Sequence, residues 1–190
     1  MSKVLRITRF GNPILRANTK KLTVAEILSD EIQALVINMR YTLVKKNMGI
    51  GLAAPQVGKN VALSVISLKP TPTRPDLKTF DMTIINPQII ETYGKRKGKW
   101  EGCISCGAGL NVLYALVPRY EKIKLRWLDE KGANHEKIFS GCVAHVAQHE
   151  TDHLKGILFV DKVKDPSTFM MADEYQKRIV KNKGKAKGLA

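Results

Sequence analysis

Ile27, Leu28, Ile32, Leu35, Val36, Met39 and Leu43 recur at three- and four-residue intervals, the spacing that lines one face of an α-helix. Thr23 and Glu26 stand three apart at the head of that run, a capping-box arrangement, and Lys45, Lys46 and Gly49 close it. One long amphipathic helix is predicted here. Ahead of it, Leu5-Arg6-Ile7-Thr8-Arg9-Phe10 runs into the turn signal Gly11-Asn12-Pro13 and reads as a short extended arm. Beyond it the period changes. Residues 61–68 and 82–90 are rich in β-branched and aliphatic side chains and predict two strands. The linker Lys69-Pro70-Thr71-Pro72-Thr73-Arg74-Pro75 between them can be neither helix nor central strand. Ile123, Leu125 and Trp127 alternate with Lys122, Lys124 and Arg126 before Asp129-Glu130-Lys131-Gly132, which predicts a half-exposed hairpin returning near Ile138. Ser140 is placed to cap a second helix that runs to about Leu154 and stops at Gly156. Asp165-Pro166 predicts the start of a third, carrying Phe169, Ala172, Tyr175 and Ile179 and dissolving into the basic residues 181–187. With strands mainly between the first and second helices, the predicted class is α+β: a compact single domain, antiparallel strands around a central helix, and a C-terminal helix.

Composition narrows the function classes. The 190 residues are 44% apolar and 26% charged, which suits one soluble globular domain and excludes disorder or a fibrous repeat. No window approaches the ~18 continuous apolar residues of a membrane span, and Met1-Ser2-Lys3-Val4-Leu5-Arg6 leads into a core-like segment, so a cytoplasmic protein with no membrane contact is expected. Three cysteines, Cys103, Cys106 and Cys142, cannot all pair, which argues against a disulfide framework and brings metal or thiol chemistry forward. Thirty-two Lys and Arg against 17 Asp and Glu leave +15, which favours an anionic partner such as nucleic acid; a solvated basic surface is the competing reading.

The chemistry concentrates in His149-Glu150-Thr151-Asp152-His153, an HExxH motif on the predicted second helix. Residues four apart lie on one helical face, separated by roughly 6 Å along the axis, so both imidazoles can reach one metal ion. Glu150 is placed to take a proton from a metal-bound water. The third ligand decides the class. Metzincins would need a histidine where Phe159 stands, which excludes them. A gluzincin would use a downstream carboxylate, and Glu174 is the available one. Otherwise the ligand lies upstream, where Cys103 in Glu101-Gly102-Cys103-Ile104-Ser105 is flanked by a glycine that permits close backbone approach.

Three spaced motifs resemble those of the peptide deformylases: Gly49-Ile50-Gly51-Leu52-Ala53-Ala54-Pro55-Gln56, then Glu101-Gly102-Cys103-Ile104-Ser105, then Gln148-His149-Glu150-Thr151-Asp152-His153. The similarity extends through Gly11-Asn12-Pro13-Ile14-Leu15-Arg16, Asn86-Pro87, Val117-Pro118-Arg119-Tyr120 and Leu154-Lys155-Gly156-Ile157-Leu158. The resemblance implies a catalytic domain over residues 1–176 followed by a basic tail at 177–190. It also implies removal of formate from formyl-methionyl nascent peptides. Cys103, His149 and His153 would hold one divalent metal, Fe(II) in the family's usual form, with zinc, nickel or cobalt able to occupy the same donors. Glu150 would act as base and then acid, while Gln56 and the backbone N–H of Ile104 stabilise the oxyanion. Ile50 and Gly51 would offer an extended edge to the peptide, and Ile50, Cys142 and Val146 would wall the methionine pocket.

Other features fit less directly. Cys103-Ile104-Ser105-Cys106 spells CxxC, but with no second such pair Cys106 reads as a free thiol near the metal. Residues 106–114 replace a shorter, Pro-containing family segment and so alter the rim of the cleft. His145 shares a helical face with His149 and His153 but is one turn too far for the same ion, which leaves it a pocket wall or a surface residue. His135 reads as solvated. Lys177, Arg178, Lys181, Lys183, Lys185 and Lys187 place six cations within eleven residues, a ribosome-docking element of a monomer if the deformylase reading holds. The alternatives are a gluzincin-like peptidase using Glu174, or a basic ribosome- or nucleic-acid-binding module whose metal is structural.

Overall fold

The computed structural model describes residues 2–46, 50–70 and 77–181. Gly49, most of the proline-rich linker, and Lys183, Lys185 and Lys187 lie outside the described residues.

The capping box at Thr23 forms: Thr23 Oγ1 accepts from the Glu26 N–H (3.2 Å) and Glu26 Oε2 accepts from the Thr23 N–H (2.8 Å). The single long helix does not. Helix α1 (Val24–Ile27) closes after one turn and α2 (Asp30–Lys46) begins afresh. Ser29 makes the break, its Oγ donating to the Glu26 carbonyl (2.6 Å) and accepting from the Ile32 N–H (3.4 Å), a local alternative to continuing the helix. Leu28, placed in the apolar stripe by its spacing, is therefore exposed. Helix α2 buries Ile32, Leu35, Val36, Met39 and Leu43.

Five strands form one antiparallel sheet in chain order: β1 (Gly51–Ala53), β2 (Leu63–Leu68), β3 (Phe80–Gly102), β4 (Leu113–Leu128) and β5 (Asn134–Ser140). A short β6 (Met170–Met171) pairs with the start of β4. In β2, Leu63 and Val65 join the core under α2, whereas Ile66 and Leu68 join the second core, which explains a strand with no polar face. Strand β3 runs far beyond the predicted residues 82–90. Its outer half is too polar to announce itself and is held by backbone pairing to β4, with register shifts after Ile85, Ile89 and Tyr93. Asn86, at φ +50°, sits in the first shift, and its amide clasps both the N–H (3.0 Å) and the carbonyl (2.7 Å) of Leu22.

The β4–β5 hairpin matches the alternation in the sequence, with Ile123 opposite Phe139 and Lys124 opposite Ile138. His135 is not merely solvated: its ring stacks on Trp127 and Nε2 lies 2.8 Å from Asp129 Oδ2. Helix α3 (Gly141–His153) follows at once, although the Ser140 side chain makes no capping bond. The stop falls where expected. Gly156 is at φ +68°, and a Cβ there would meet the Arg16 carbonyl oxygen at 2.3 Å, so only glycine fits.

The third helix starts later than Asp165-Pro166 suggests. That pair opens only a 3-10 turn (Pro166–Thr168), residues 170–171 are taken by β6, and α4 begins at Ala172–Tyr175 before continuing through wider turns to Val180. Tyr175 anchors it, stacking on Tyr114 at 4.3 Å and leaning on Trp100 at 5.5 Å.

Candidate active site

Helix α3 is buried along the face that carries His149 and His153, and Cys103 reaches it from the end of β3. One donor atom from each of Cys103, His149 and His153 lies within 4.8 Å of the others, and Cys103 Sγ is 3.3 Å from His153 Nε2. A thiolate and two imidazoles at this spacing fit one divalent ion with a coordination position left open. In the protein alone, contact with the Cys106 thiol, then burial, pushes the Cys103 thiol well above its usual range. Burial likewise pushes the His153 imidazole well below its own. A cation bound there would take the deprotonated sulfur and the neutral ring.

Behind this triad sits a carboxylate with every side engaged. Glu101 Oε2 accepts from His149 Nδ1 (2.8 Å) and Arg119 Nη2 (3.0 Å), and Oε1 accepts from His145 Nε2 (2.8 Å) and Arg119 Nε (2.6 Å). Burial is the largest influence on Glu101 and favours its neutral form, yet these bonds hold its carboxyl well below the ordinary range. Holding His149 by Nδ1 turns Nε2 toward the cluster. Arg119 also bonds Asp152 through Nη1, and Lys162 Nζ reaches Asp152 Oδ2 at 3.0 Å. His145 is thus a partner of Glu101 and neither a simple pocket wall nor a surface residue. Sequence pattern alone gives Glu101, Arg119 and Asp152 no role. A signal for Arg119 existed, because Ala115, Val117 and Arg119 alternate along the buried face of β4. Gln148 is a further structural residue: its amide bonds both the N–H (3.1 Å) and the carbonyl (2.8 Å) of Tyr120, pinning α3 to β4.

Glu150 is buried with Oε2 unpartnered, and burial raises its carboxyl to about 7. Gly51 lies against it; a Cβ there would fall 2.2 Å from Glu150 Oε1. Gln56 is oriented by the Ala53 N–H, which donates to Oε1 (2.8 Å), and its Nε2 donates to Cys103 Sγ (3.3 Å) and Ser105 Oγ (3.2 Å). The N-terminal arm ties these segments together. Thr8 N–H donates to the Gln56 carbonyl and Phe10 N–H to the Ser105 carbonyl, both at 2.8 Å, while Arg9 Nη1 donates to the carbonyls of Ile104 (2.9 Å) and Gly107 (2.6 Å).

The sequence profile of the polypeptide deformylase family matches residues 4–169. The chain belongs to the peptide deformylase family. It is 38% identical over 177 residues to a peptide deformylase of Aquifex aeolicus, spanning 93% of this chain and 98% of that one. It is 34% identical over 181 residues to peptide deformylase 2 of Nostoc sp., spanning 95% and 97%. A Met-Ala-Ser-bound crystal structure of the class I type b peptide deformylase from Acinetobacter baumannii superposes with a TM-score of 0.79 at 32% identity, covering 86% of this chain and 100% of that one. A peptide deformylase from Synechococcus elongatus in complex with actinonin gives 0.74 at 34%, covering 92% and 85%. As a deformylase the chain is a metal-dependent hydrolase that removes the formyl group from N-terminal formyl-methionine, in the α+β fold of its relatives.

The peptidase alternative loses its ligand in this deformylase fold: Glu174 pairs with Arg178 and, at 3.7 Å, Lys177 on α4, and is not one of the clustered donors. The apolar residues expected to form the methionine pocket belong to one large apolar core. Ile50, Cys142 and Val146 share one cluster with Ile66, Leu68 and Phe80, with Val146 fully buried and the other two at its margin. Among the described residues, no helix is long and apolar enough to cross a membrane.

Proposed function

We propose that Cys103, His149 and His153 hold the deformylase's single divalent ion and that Glu150 moves the protons of hydrolysis. The observation that carries this reading is the meeting of three donor atoms within 4.8 Å, two from α3 and one from the end of β3, beside the buried, unpartnered Glu150 Oε2. When bound, the ion would supply Lewis acidity and make a coordinated water acidic enough to ionise near neutral pH. Glu150 Oε2 accepts the proton of the attacking water and returns it to the leaving amine nitrogen. Gln56 Nε2, giving up its contact with Cys103 Sγ or Ser105 Oγ, and the Ile104 N–H donate to the oxygen of the formyl group as charge develops, and the Ala53 N–H fixes the Gln56 amide beforehand. Strand β1 is the edge of the sheet, so Gly51 at its start offers backbone groups to an extended peptide, with Ile50 just before it held to β2 by its carbonyl, which accepts from the Ser67 N–H (2.9 Å), and Ile50, Cys142 and Val146 receive the methionine side chain.

The native ion is Fe(II), although zinc, nickel and cobalt suit the same donors. The enzyme works as a cytoplasmic monomer on formyl-methionyl nascent chains and docks on the ribosome through its basic tail, of which Lys177, Arg178 and Lys181 are described. Formate release from a formyl-Met peptide, measured with metal content on one anaerobic preparation, tests the reading. Cys103→Ala should lose both, whereas Cys106→Ser and Glu174→Ala should keep most of both. Metal retained in Cys103→Ala and lost in Glu174→Ala would overturn the ligand set.

A further inference from the structure

Hydrolysis makes no use of Cys106, the second cysteine of the CxxC pair. Cys103 and Cys106 bracket a single 3-10 turn, with the Cys106 N–H donating to the Cys103 carbonyl at 2.8 Å. A turn closed in this way holds its first and fourth Cα atoms within about 7 Å, close to the span a disulfide bridges. One turn of chain separates the two thiols, Cys106 following Cys103 by three residues. They also share one apolar cluster with Ala115, Val117 and Phe159, whereas Cys142 belongs to the other core. Cys103 is buried and Cys106 is partly exposed, so an oxidant from solvent meets Cys106 first. Arg9 donates to the carbonyls of Ile104, within the turn, and Gly107, just after it, and so holds the turn in place.

We propose that Cys103 and Cys106 form an oxidation site at which a hydroperoxide closes a reversible disulfide, withdrawing Cys103 from the metal. The Cys106 sulfur attacks the peroxide oxygen, the O–O bond breaks, and with hydrogen peroxide one water leaves as Cys106 becomes a sulfenic acid. The Cys103 sulfur, deprotonated as it would be on the metal, then attacks the Cys106 sulfur, the S–O bond breaks, and the hydroxide that leaves takes a proton from solvent to become the second water. Two thiols are oxidised by two electrons and one peroxide is reduced to two waters. A ligand cysteine without such a partner continues to sulfinic and sulfonic acids, which thiols do not reverse. Cys106 would thus convert irreversible loss of the site into a recoverable one.

Disulfide closure stands on the turn geometry alone, while its effect on the metal rests on Cys103 being a ligand, so the two are read separately. Zinc-loaded enzyme is treated with hydrogen peroxide, because zinc has no redox chemistry of its own. Free thiols, peptide masses and released zinc are followed together. Two of the three thiols should disappear, a cross-linked Cys103–Cys106 peptide lighter by two hydrogens should appear, and zinc should leave in step with it. Dithiothreitol and added zinc should restore all three thiols and the bound metal. Disulfide formed without zinc release would leave the oxidation site standing and count against Cys103 as ligand. In Cys106→Ser, or in Cys106→Ala if the serine variant misfolds, Cys103 should advance to acids that dithiothreitol cannot reduce. Cys142→Ser should still cross-link. A linkage through Cys142, or full recovery of the Cys106 variants by dithiothreitol, would overturn the proposal.

Discussion

Arg119→Leu tests whether the buried ion-pair network, rather than the metal donors alone, builds this site. Arg119 is 2% exposed, and its three nitrogens engage both oxygens of Glu101 and one of Asp152. Leucine fills part of the space and supplies no donor. Breaking a buried pair by removing one partner costs about 3–5 kcal/mol, because the remaining charge stays buried. Here the cost belongs at the lower end, since Glu101 keeps His145 and His149 and Asp152 keeps Lys162 at 3.0 Å. A loss of about 3 kcal/mol lowers Tm by about 6–12 °C in a chain of this size. Calorimetry on both metal-loaded and chelator-treated enzyme should show the drop in each, which separates it from weaker metal binding. The double variant Arg119→Leu/Glu101→Gln removes the stranded charge and should melt above the single variant. Its metal affinity should nevertheless fall about 10–100-fold, the usual consequence of disturbing a group that orients a metal-binding imidazole. A single variant melting within about 2 °C of the parent would refute the reasoning, and so would a double variant less stable than the single one.

Glu150→Gln should keep the metal while turnover collapses by at least about 100-fold, the usual range of general acid–base catalysis; near-normal turnover at full metal occupancy would sink the proton-transfer role. Gly51→Ala places a methyl 2.2 Å from Glu150 Oε1, so it should lower kcat with little change in metal content, and an unaffected kcat would mean that Glu150 can shift without consequence. Deleting residues after Ile179 should leave hydrolysis of short formyl peptides nearly unchanged but weaken ribosome binding, most visibly at low salt, where phosphate contacts are strongest. Equal affinity of full-length and truncated chains across a salt titration would reduce the tail to surface charge.

Local rules made parts of this molecule legible in its sequence. The HExxH face needs only the helical repeat, the turn at Gly132 and the stop at Gly156 need only backbone sterics, and the capping box at Thr23 is written within four residues. Where the sequence misled, a competing interaction had won. Ser29 offers its hydroxyl to both helix ends and ends α1. Met170 and Met171 pair with Tyr114 and Leu113 before α4 can begin. The outer half of β3 exists because β4 lies beside it, and no periodicity within residues 91–99 reveals a partner 18 to 33 positions away. Charged residues are read by default as solvated, which hid Glu101 and Arg119 although both lie at inward positions of their strands.

The Glu101-Gly102-Cys103 triplet has a reason that only pairing and pleat supply together. Successive residues of an extended chain point to opposite faces, and Cys103 keeps extended angles (φ −133°, ψ 133°) past the end of β3. Glu101 and Cys103 therefore share the inward face: one carboxylate sets the His149 ring, and two residues later a thiol joins the same imidazoles. Gly102 points the other way, where a Cβ would lie 2.8 Å from the ring of Tyr114, the residue on which Tyr175 of α4 stacks. A side chain at Gly102 would have to displace that stack or push the strand inward. Movement inward would carry Cys103 and Glu101 with it, so the thiol beside the two imidazoles and the seat of the C-terminal helix are set by the two faces of one three-residue step.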